Sequence, residues 1–259
     1  MLQLIKSYLK FLKNSTNQHG VHSPFVYSLV TKCFYDNKNY AEYEILKKYR
    51  KSLLTNKDFI EVTDFGAGSR VFKSNKRQIS KIVKTAGISS KRAKLLFRVV
   101  NYFQPTTILE IGTSLGLATS ALSLGNKTSK IISLEGCSNT ITIAKSQLQD
   151  INNIEFINTR FEDYFQNSKL QTPNFQLIYF DGNHSKKATL DYFELLLPTT
   201  TNETVWIFDD IHWSKDMEEA WEIIKKHPKV RVTIDTFQWG FVFFRTEQEK
   251  EHFVVRVLF

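Results

Sequence analysis

Apolar residues recur at helical spacing along the first third of the chain. Leu2, Ile5, Leu9 and Leu12 share one face of a helix predicted over residues 1–13, and a polar break over 14–20 follows it. Ser23-Pro24 then supplies an N-cap and a first helical position for an apolar helix through about Phe34. Tyr43, Leu46 and Tyr49 mark a helix over 40–54, residues 71–84 read as a basic helix or loop, and 89–103 as a helix that Pro105 stops. From there the pattern changes to short apolar runs alternating with helical stretches. Strands are predicted at 107–111, 130–135, 154–158, 175–180 and 204–208, with helices at 118–124, 141–149 and 214–226. The last pair, 230–235 and 241–244, flanks Gln238-Trp239-Gly240 and reads as a hairpin. Alternating strands and helices of this kind build an α/β domain with a mostly parallel sheet.

Composition narrows the class without changing the fold. The chain has 259 residues, 42% hydrophobic and 24% charged, as in an ordinary globular protein with a sizeable core. No apolar run approaches eighteen residues, so no stable membrane insertion is expected. The opening MLQLIKSYLKFLKN spreads lysines through its apolar positions and suits an amphipathic helix better than a signal peptide. Cys33 and Cys137 have neither metal spacing nor a disulfide framework, and a cytoplasmic location is the default expectation. The net charge of +9 is unevenly placed: residues 1–104 hold 20 Lys and Arg against 6 Asp and Glu, whereas 105–259 hold 15 against 20. Such a front half would suit RNA, an anionic membrane surface or a phosphorylated substrate; lysine-rich surface helices merely solvated are the alternative.

Candidate chemistry gathers where strands end. Thr107–Ile111 runs into Gly112-Thr113-Ser114-Leu115-Gly116, a Glu-x-Gly-x-x-x-Gly turn that lets a ligand approach the backbone at a helix N-terminus. It is neither the G-x-G-x-x-G dinucleotide fingerprint nor a phosphate loop. Glu135 ends the next strand about 20 residues on, where a ribose hydroxyl pair is held in Rossmann-like sites. Further along, Asp181-Gly182-Asn183-His184 and Asp209-Asp210-Ile211-His212 follow two strands that should be neighbours. Three carboxylates so close would repel one another unless a hard divalent ion lay between them. Upstream, Asp64-Phe65-Gly66-Ala67-Gly68-Ser69-Arg70 suggests an anion nest in a lid over the active site. His19 and His22, in HGVHSPF, lack a third ligand nearby, which favours a structural role.

With these residues the chain resembles the class I, Rossmann-like S-adenosylmethionine-dependent methyltransferases. The resemblance implies a seven-stranded, mostly parallel sheet with an antiparallel last hairpin over 105–259, preceded by a basic helical extension or lid over 1–104. It places Glu110 at the methionine end of the cofactor, Gly112, Thr113, Ser114 and Gly116 beneath it, Glu135 on the ribose, and Arg160 and Phe161 beside the adenine. Asp181, Asp209 and Asp210 resemble the magnesium or calcium ligands of the catechol and caffeoyl-coenzyme A type of O-methyltransferase. In that type an asparagine stands at the place of Asp210 and the general-base lysine at the place of His184. Asp181 and His184 are therefore the candidate catalytic residues, with a neutral imidazole taking the acceptor's proton. HGVHSPF and DFGAGSR look like the front half of a group of bacterial methyltransferases. The implied activity is O-methylation of a small or anionic acceptor. Two rivals remain: an RNA methyltransferase binding through the basic front half, and a non-catalytic cofactor-binding partner subunit. The tail at 254–259 is apolar enough to pack on the domain or on a partner subunit, as in a homodimer.

Overall fold

Short apolar runs become strands and amphipathic stretches become helices in a computed structural model that describes residues 2–66, 68, 71–167 and 174–257. The chain divides into two compact units, Asp36–Gln171, and Met1–Tyr35 together with Thr172–Phe259. Neither cut falls at the expected boundary after residue 104. Residues 1–35 pack with the end of the chain, and residues 36–104 with the first three strands of the sheet.

The unit Asp36–Gln171 opens with helix α3 (Glu42–Thr55); α1 (Leu2–Asn14) and α2 (Pro24–Leu29) belong to the other unit. A two-stranded antiparallel hairpin follows, β1 (Phe59–Glu61) with β2 (Lys76–Gln78), then α4 (Ile79–Thr85) and α5 (Ser90–Phe103). The strand within the expected 71–84 segment arises because its backbone finds β1 as a partner. Ser89 caps α5 by accepting the Arg92 N–H at 3.3 Å, and Gln104 closes it in the left-handed conformation just before Pro105. Then β3 (Thr107–Ile111), α6 (Leu117–Gly125), β4 (Lys130–Glu135), α7 (Ser138–Gln147), β5 (Ile154–Asn158) and α8 (Phe161–Asn167) alternate. β4 pairs in parallel with β3 on one side and β5 on the other. Ile108, Leu109, Ile111, Ile131 and Leu134 are buried, as strands covered on both faces require.

The other unit carries α1 (Leu2–Asn14) and α2 (Pro24–Leu29), the latter continuing as a π-helical turn over Val30–Phe34. Its strands are β6 (Leu177–Phe180), β7 (Val205–Asp209), β8 (Val232–Asp235), β9 (Trp239–Phe243) and β10 (Glu251–Val254), with α9 (Lys186–Leu196) and α10 (Lys215–Lys226) between. β6 and β7 are parallel, β9 runs antiparallel to both β7 and β8, and β10 lies parallel to β8. The antiparallel hairpin is as expected. β10 is a strand beyond the expected seven, formed where a polar stretch pairs with β8. The hairpin turn lies at Thr236-Phe237-Gln238, earlier than the sequence suggested. Asp235 accepts the Phe237 N–H at 2.7 Å and holds Phe237 at φ 73°, so Trp239 and Gly240 already belong to β9. Aromatic side chains dominate this core: Phe180 stacks on Phe208 with centroids 4.2 Å apart, and Trp206 meets Phe244 at 4.8 Å. Residues 1–35 join it through Phe34 on Phe241 at 5.0 Å and Phe25 on Phe243 at 5.0 Å.

Candidate active site

In the unit Asp36–Gln171 the candidate cofactor residues sit at the carboxyl ends of β3 and β4. Gly112 and Gly116 have φ of 108° and 75°, conformations that favour glycine. A Cβ on Gly116 would also lie 3.0 Å from the Tyr49 hydroxyl and 3.0 Å from the Ala144 methyl. Tyr49 donates to the Leu115 carbonyl at 2.5 Å, fixing the turn from below. Ser114, between the glycines, is itself held at φ 48°. Glu135 locks this turn to β4. One of its carboxylate oxygens accepts the Ser114 N–H at 2.8 Å and the other accepts the Cys137 N–H at 2.8 Å. Burial pushes the Glu135 carboxyl above its ordinary range, while these backbone donors pull the other way.

Glu110 is fully buried beneath the turn. Its Oε2 accepts from Thr119 Oγ1 at 2.6 Å and Ser133 Oγ at 2.5 Å, and Ser133 also meets Thr113 Oγ1 at 2.6 Å. The carboxylate thereby ties together α6, β4 and the turn. Its Oε1 is buried without a hydrogen-bond partner. Burial raises the Glu110 carboxyl to about 7 against the hydroxyl donors that lower it. A buried orphan acceptor under a glycine turn fits a missing cationic donor, such as the ammonium of a methionine moiety.

Asp64 and Phe65, read from the sequence only as part of an anion nest, join this end of the unit. Phe65, half-exposed, covers Gly136: a Cβ there would lie 2.7 Å from the Phe65 ring. The Arg160 guanidinium lies 5.8 Å from the centroid of the same ring, and Asp64 contributes to raising Glu135. Arg160 is thus beside the Glu135–Gly136 corner, whereas Phe161 is half-buried at the start of α8. The signal was present in DFGAGSR but carried no partner. Its Ala67, Ser69 and Arg70, central to the expected anion nest, lie outside the described residues.

In the other unit Asp181 follows β6, and its Oδ1 lies 3.6 Å from His184 Nε2. His184 does not cap the next helix; Ser185 does, accepting the Ala188 N–H at 3.3 Å. Asp209 is buried, with Oδ1 accepting the Asp210 N–H at 2.8 Å and Oδ2 accepting from the Tyr179 hydroxyl at 3.3 Å. Asp210 is held at φ 54° and Asn183 at φ 50°, both in the left-handed conformation just after a strand of this unit. Such strain concentrates at functional turns. Asp181, Asp209 and Asp210 do not assemble into the expected ion site. Among the described residues no group of three or more His, Cys, Asp or Glu side chains is arranged to hold a metal. The physical reason is that Asp209 turns inward to Tyr179 and to its own neighbour's N–H.

His212, in the same loop, is the residue that sequence reasoning missed. Its Nε2 lies 2.8 Å from Asp235 and its Nδ1 3.0 Å from Glu218, with the ring stacked on Phe237 at 5.2 Å. Burial alone would lower its pKa, but the two carboxylates outweigh it and raise it. The three partners lie on separate elements, so no local spacing betrays them. In HGVHSPF, Ser23 caps α2 by accepting the Val26 N–H at 3.3 Å, and His19 and His22 are both exposed.

Residues 109–211 match the family model described as a methyltransferase domain. A search of curated proteins finds no match. Among solved structures, an O-methyltransferase from Bacillus cereus in complex with S-adenosylhomocysteine is 19% identical. Its TM-score is 0.54, with 80% of this chain and 90% of that one covered. An O-methyltransferase of tomaymycin synthesis from Streptomyces achromogenes, in complex with S-adenosylmethionine, is 15% identical with a TM-score of 0.54, covering 79% and 89%. A methyltransferase from Podospora anserina, bound to S-adenosylhomocysteine, is 13% identical with a TM-score of 0.58, covering 86% and 97%. At these identities the likeness is one of fold. Residues 109–211 thus match a methyltransferase domain, and the solved structures show that the chain has the Rossmann-like α/β fold of methyltransferases.

Proposed function

We propose that the protein transfers a methyl group from S-adenosylmethionine to an oxygen of a small or anionic acceptor. The observation that carries this reading is the Glu135 carboxylate, clamped between the Ser114 and Cys137 N–H groups at the end of the glycine turn. Bound there, S-adenosylmethionine would supply an electrophilic methyl on a sulfonium, released as the thioether when the acceptor oxygen takes the methyl. Glu135 would accept from the ribose hydroxyls with its remaining lone pairs, already oriented by two backbone donors. Glu110 Oε1 would receive the donor it lacks, and Gly112 and Gly116 would leave the space a side chain would close. Phe65 and Arg160 would border the adenine.

His184 would take the acceptor's proton at Nε2, with Asp181 at 3.6 Å stabilising the imidazolium as it forms. No step is assigned to a divalent ion, since among the described residues no group of three or more His, Cys, Asp or Glu side chains is arranged to hold one. The O-methyltransferase fold of the solved structures supports oxygen as the accepting atom. The test is calorimetric titration of S-adenosylmethionine into the wild type and Glu135→Ala, followed by transfer of labelled methyl to a panel of catechols, phenols and small carboxylic acids. Micromolar binding lost in the variant, with label on an acceptor oxygen, is the expected result. Absence of cofactor binding by the folded wild type would overturn the proposal.

A further inference from the structure

We propose that a cavity among helices α3, α5 and α6 binds a small amphipathic anion, an apolar group bearing a phosphate or carboxylate. The cavity has a volume of about 240 Å³. That is below the usual range of drug-sized pockets and has room for about ten non-hydrogen atoms, a ring with one headgroup. Its apolar walls are Leu46, Ile88, Ala93 and Leu117, all buried. The charged groups on it are Lys47, Arg50 and Lys94, and no acidic side chain is among its lining residues. None of Glu110, Gly112, Ser114 or Glu135 lines it, so it is distinct from the cofactor turn.

Each cation is set differently. Arg50 donates to the Ile88 carbonyl, and to the Val83 carbonyl at 3.3 Å, bonds that fix the guanidinium while using two of its five N–H groups. Lys94 places its ammonium 4.7 Å from the centroid of the Tyr43 ring. Lys47 reaches Glu44 at 3.4 Å, but both side chains are about two-thirds exposed, 69% and 66%, and such a pair is weak enough for a ligand to replace. Three like charges around an apolar cavity repel one another and gain from an anion between them. The dry walls call for a hydrocarbon body behind that anion. Charge and shape therefore select one ligand class, and a bare inorganic anion would leave the apolar walls unfilled.

The experiment is calorimetric titration with phenyl phosphate as the probe, beside benzoate, inorganic phosphate and phenol. The wild type should bind phenyl phosphate or benzoate and show at least tenfold weaker binding of inorganic phosphate and of phenol. Reversing both lysine charges, Lys47→Glu with Lys94→Glu, should weaken the anionic probes by about tenfold or more. Ala93→Phe, which fills the cavity, should abolish binding. Thermal unfolding checks each variant; should Ala93→Phe fail to fold, the lysine pair decides. The proposal is overturned if the wild type binds neither organic anion, if inorganic phosphate binds equally well, or if the folded lysine variant keeps wild-type affinity.

Discussion

Replacing Glu110 with glutamine removes a titration that the fold makes unfavourable. The carboxyl is fully buried, and its pKa rises from 4.5 to about 7, mainly through burial. A raised acid pKa means that the folded state binds the proton more tightly than the unfolded chain. The associated stability is therefore fully present below pH 4.5 and is lost as pH rises through about 7. A difference of about 2.5 units corresponds to roughly 3 kcal/mol. Glutamine keeps an oxygen to accept from Thr119 and Ser133, but it never ionises. Urea unfolding followed by circular dichroism, at pH steps from 4.5 to 8 without cofactor, should show the wild type losing about 3 kcal/mol relative to Glu110→Gln. Taking the difference cancels the other titrating groups, which the two proteins share. A difference that stays flat within about 0.5 kcal/mol over that range would refute the burial argument. The same reasoning gives a second readout: a cationic donor meeting Glu110 Oε1 lowers its pKa, so cofactor binding near pH 7 should release a proton, detectable as a buffer-dependent binding enthalpy.

Three further outcomes follow from the geometry. Glu135→Gln keeps the size of the side chain but replaces one carboxylate acceptor by an amide, and S-adenosylmethionine affinity should fall by about tenfold to a hundredfold in calorimetry; unchanged affinity would remove Glu135 from the site. His184→Ala should cut the maximal methyl-transfer rate by about a hundredfold, with cofactor affinity kept; an unchanged rate would assign the base elsewhere. His212→Ala leaves Asp235 and Glu218 without the cation between them and should lower stability by about 2 kcal/mol in urea unfolding at pH 6. Because the folded pKa of His212 is raised above 6.5, its contribution is complete below pH 6.5 and lost as pH rises through the folded value, so the penalty should shrink at high pH.

Most of what shapes the glycine turn was legible in the chain. Buried parallel strands such as Ile108–Ile111 read as continuous apolar runs, and Gly112 and Gly116 mark a turn that only they fit without strain. Glu110 and Glu135 were legible as acids at strand ends, but not their opposite environments. One is sealed under hydroxyl groups with an orphan oxygen; the other is gripped by backbone N–H groups. That distinction depends on Thr119 and Ser133, which lie nine and 23 residues from Glu110. The three aspartates read as a metal site because spacing along the chain says nothing of side-chain direction, and Asp209 points to Tyr179. His212 and Phe65 were silent for a related reason: each gains its role from partners on distant elements. β10 was missed because a partly exposed edge strand needs no apolar alternation.

The pairing of the chain's first 35 residues with its last strands governs the order in which the molecule can be built. Thr16 donates to the Val254 carbonyl at 2.9 Å and accepts from the Arg256 N–H at 2.9 Å, while Tyr35 donates to the Arg256 carbonyl at 2.6 Å. During synthesis α1 and α2 emerge first, yet the residues they bind are made more than two hundred positions later. The central unit, Asp36–Gln171, has its partners close in sequence and can form while the ribosome is still working. The leading helices must wait with Phe25 and Phe34 uncovered, a long interval in which a chaperone or another nascent chain can capture them. Without Val254 and Arg256, Phe241 and Phe243 could still cover Phe34 and Phe25, but the leading segment would lose the backbone bonds that tie it down at Thr16 and Tyr35.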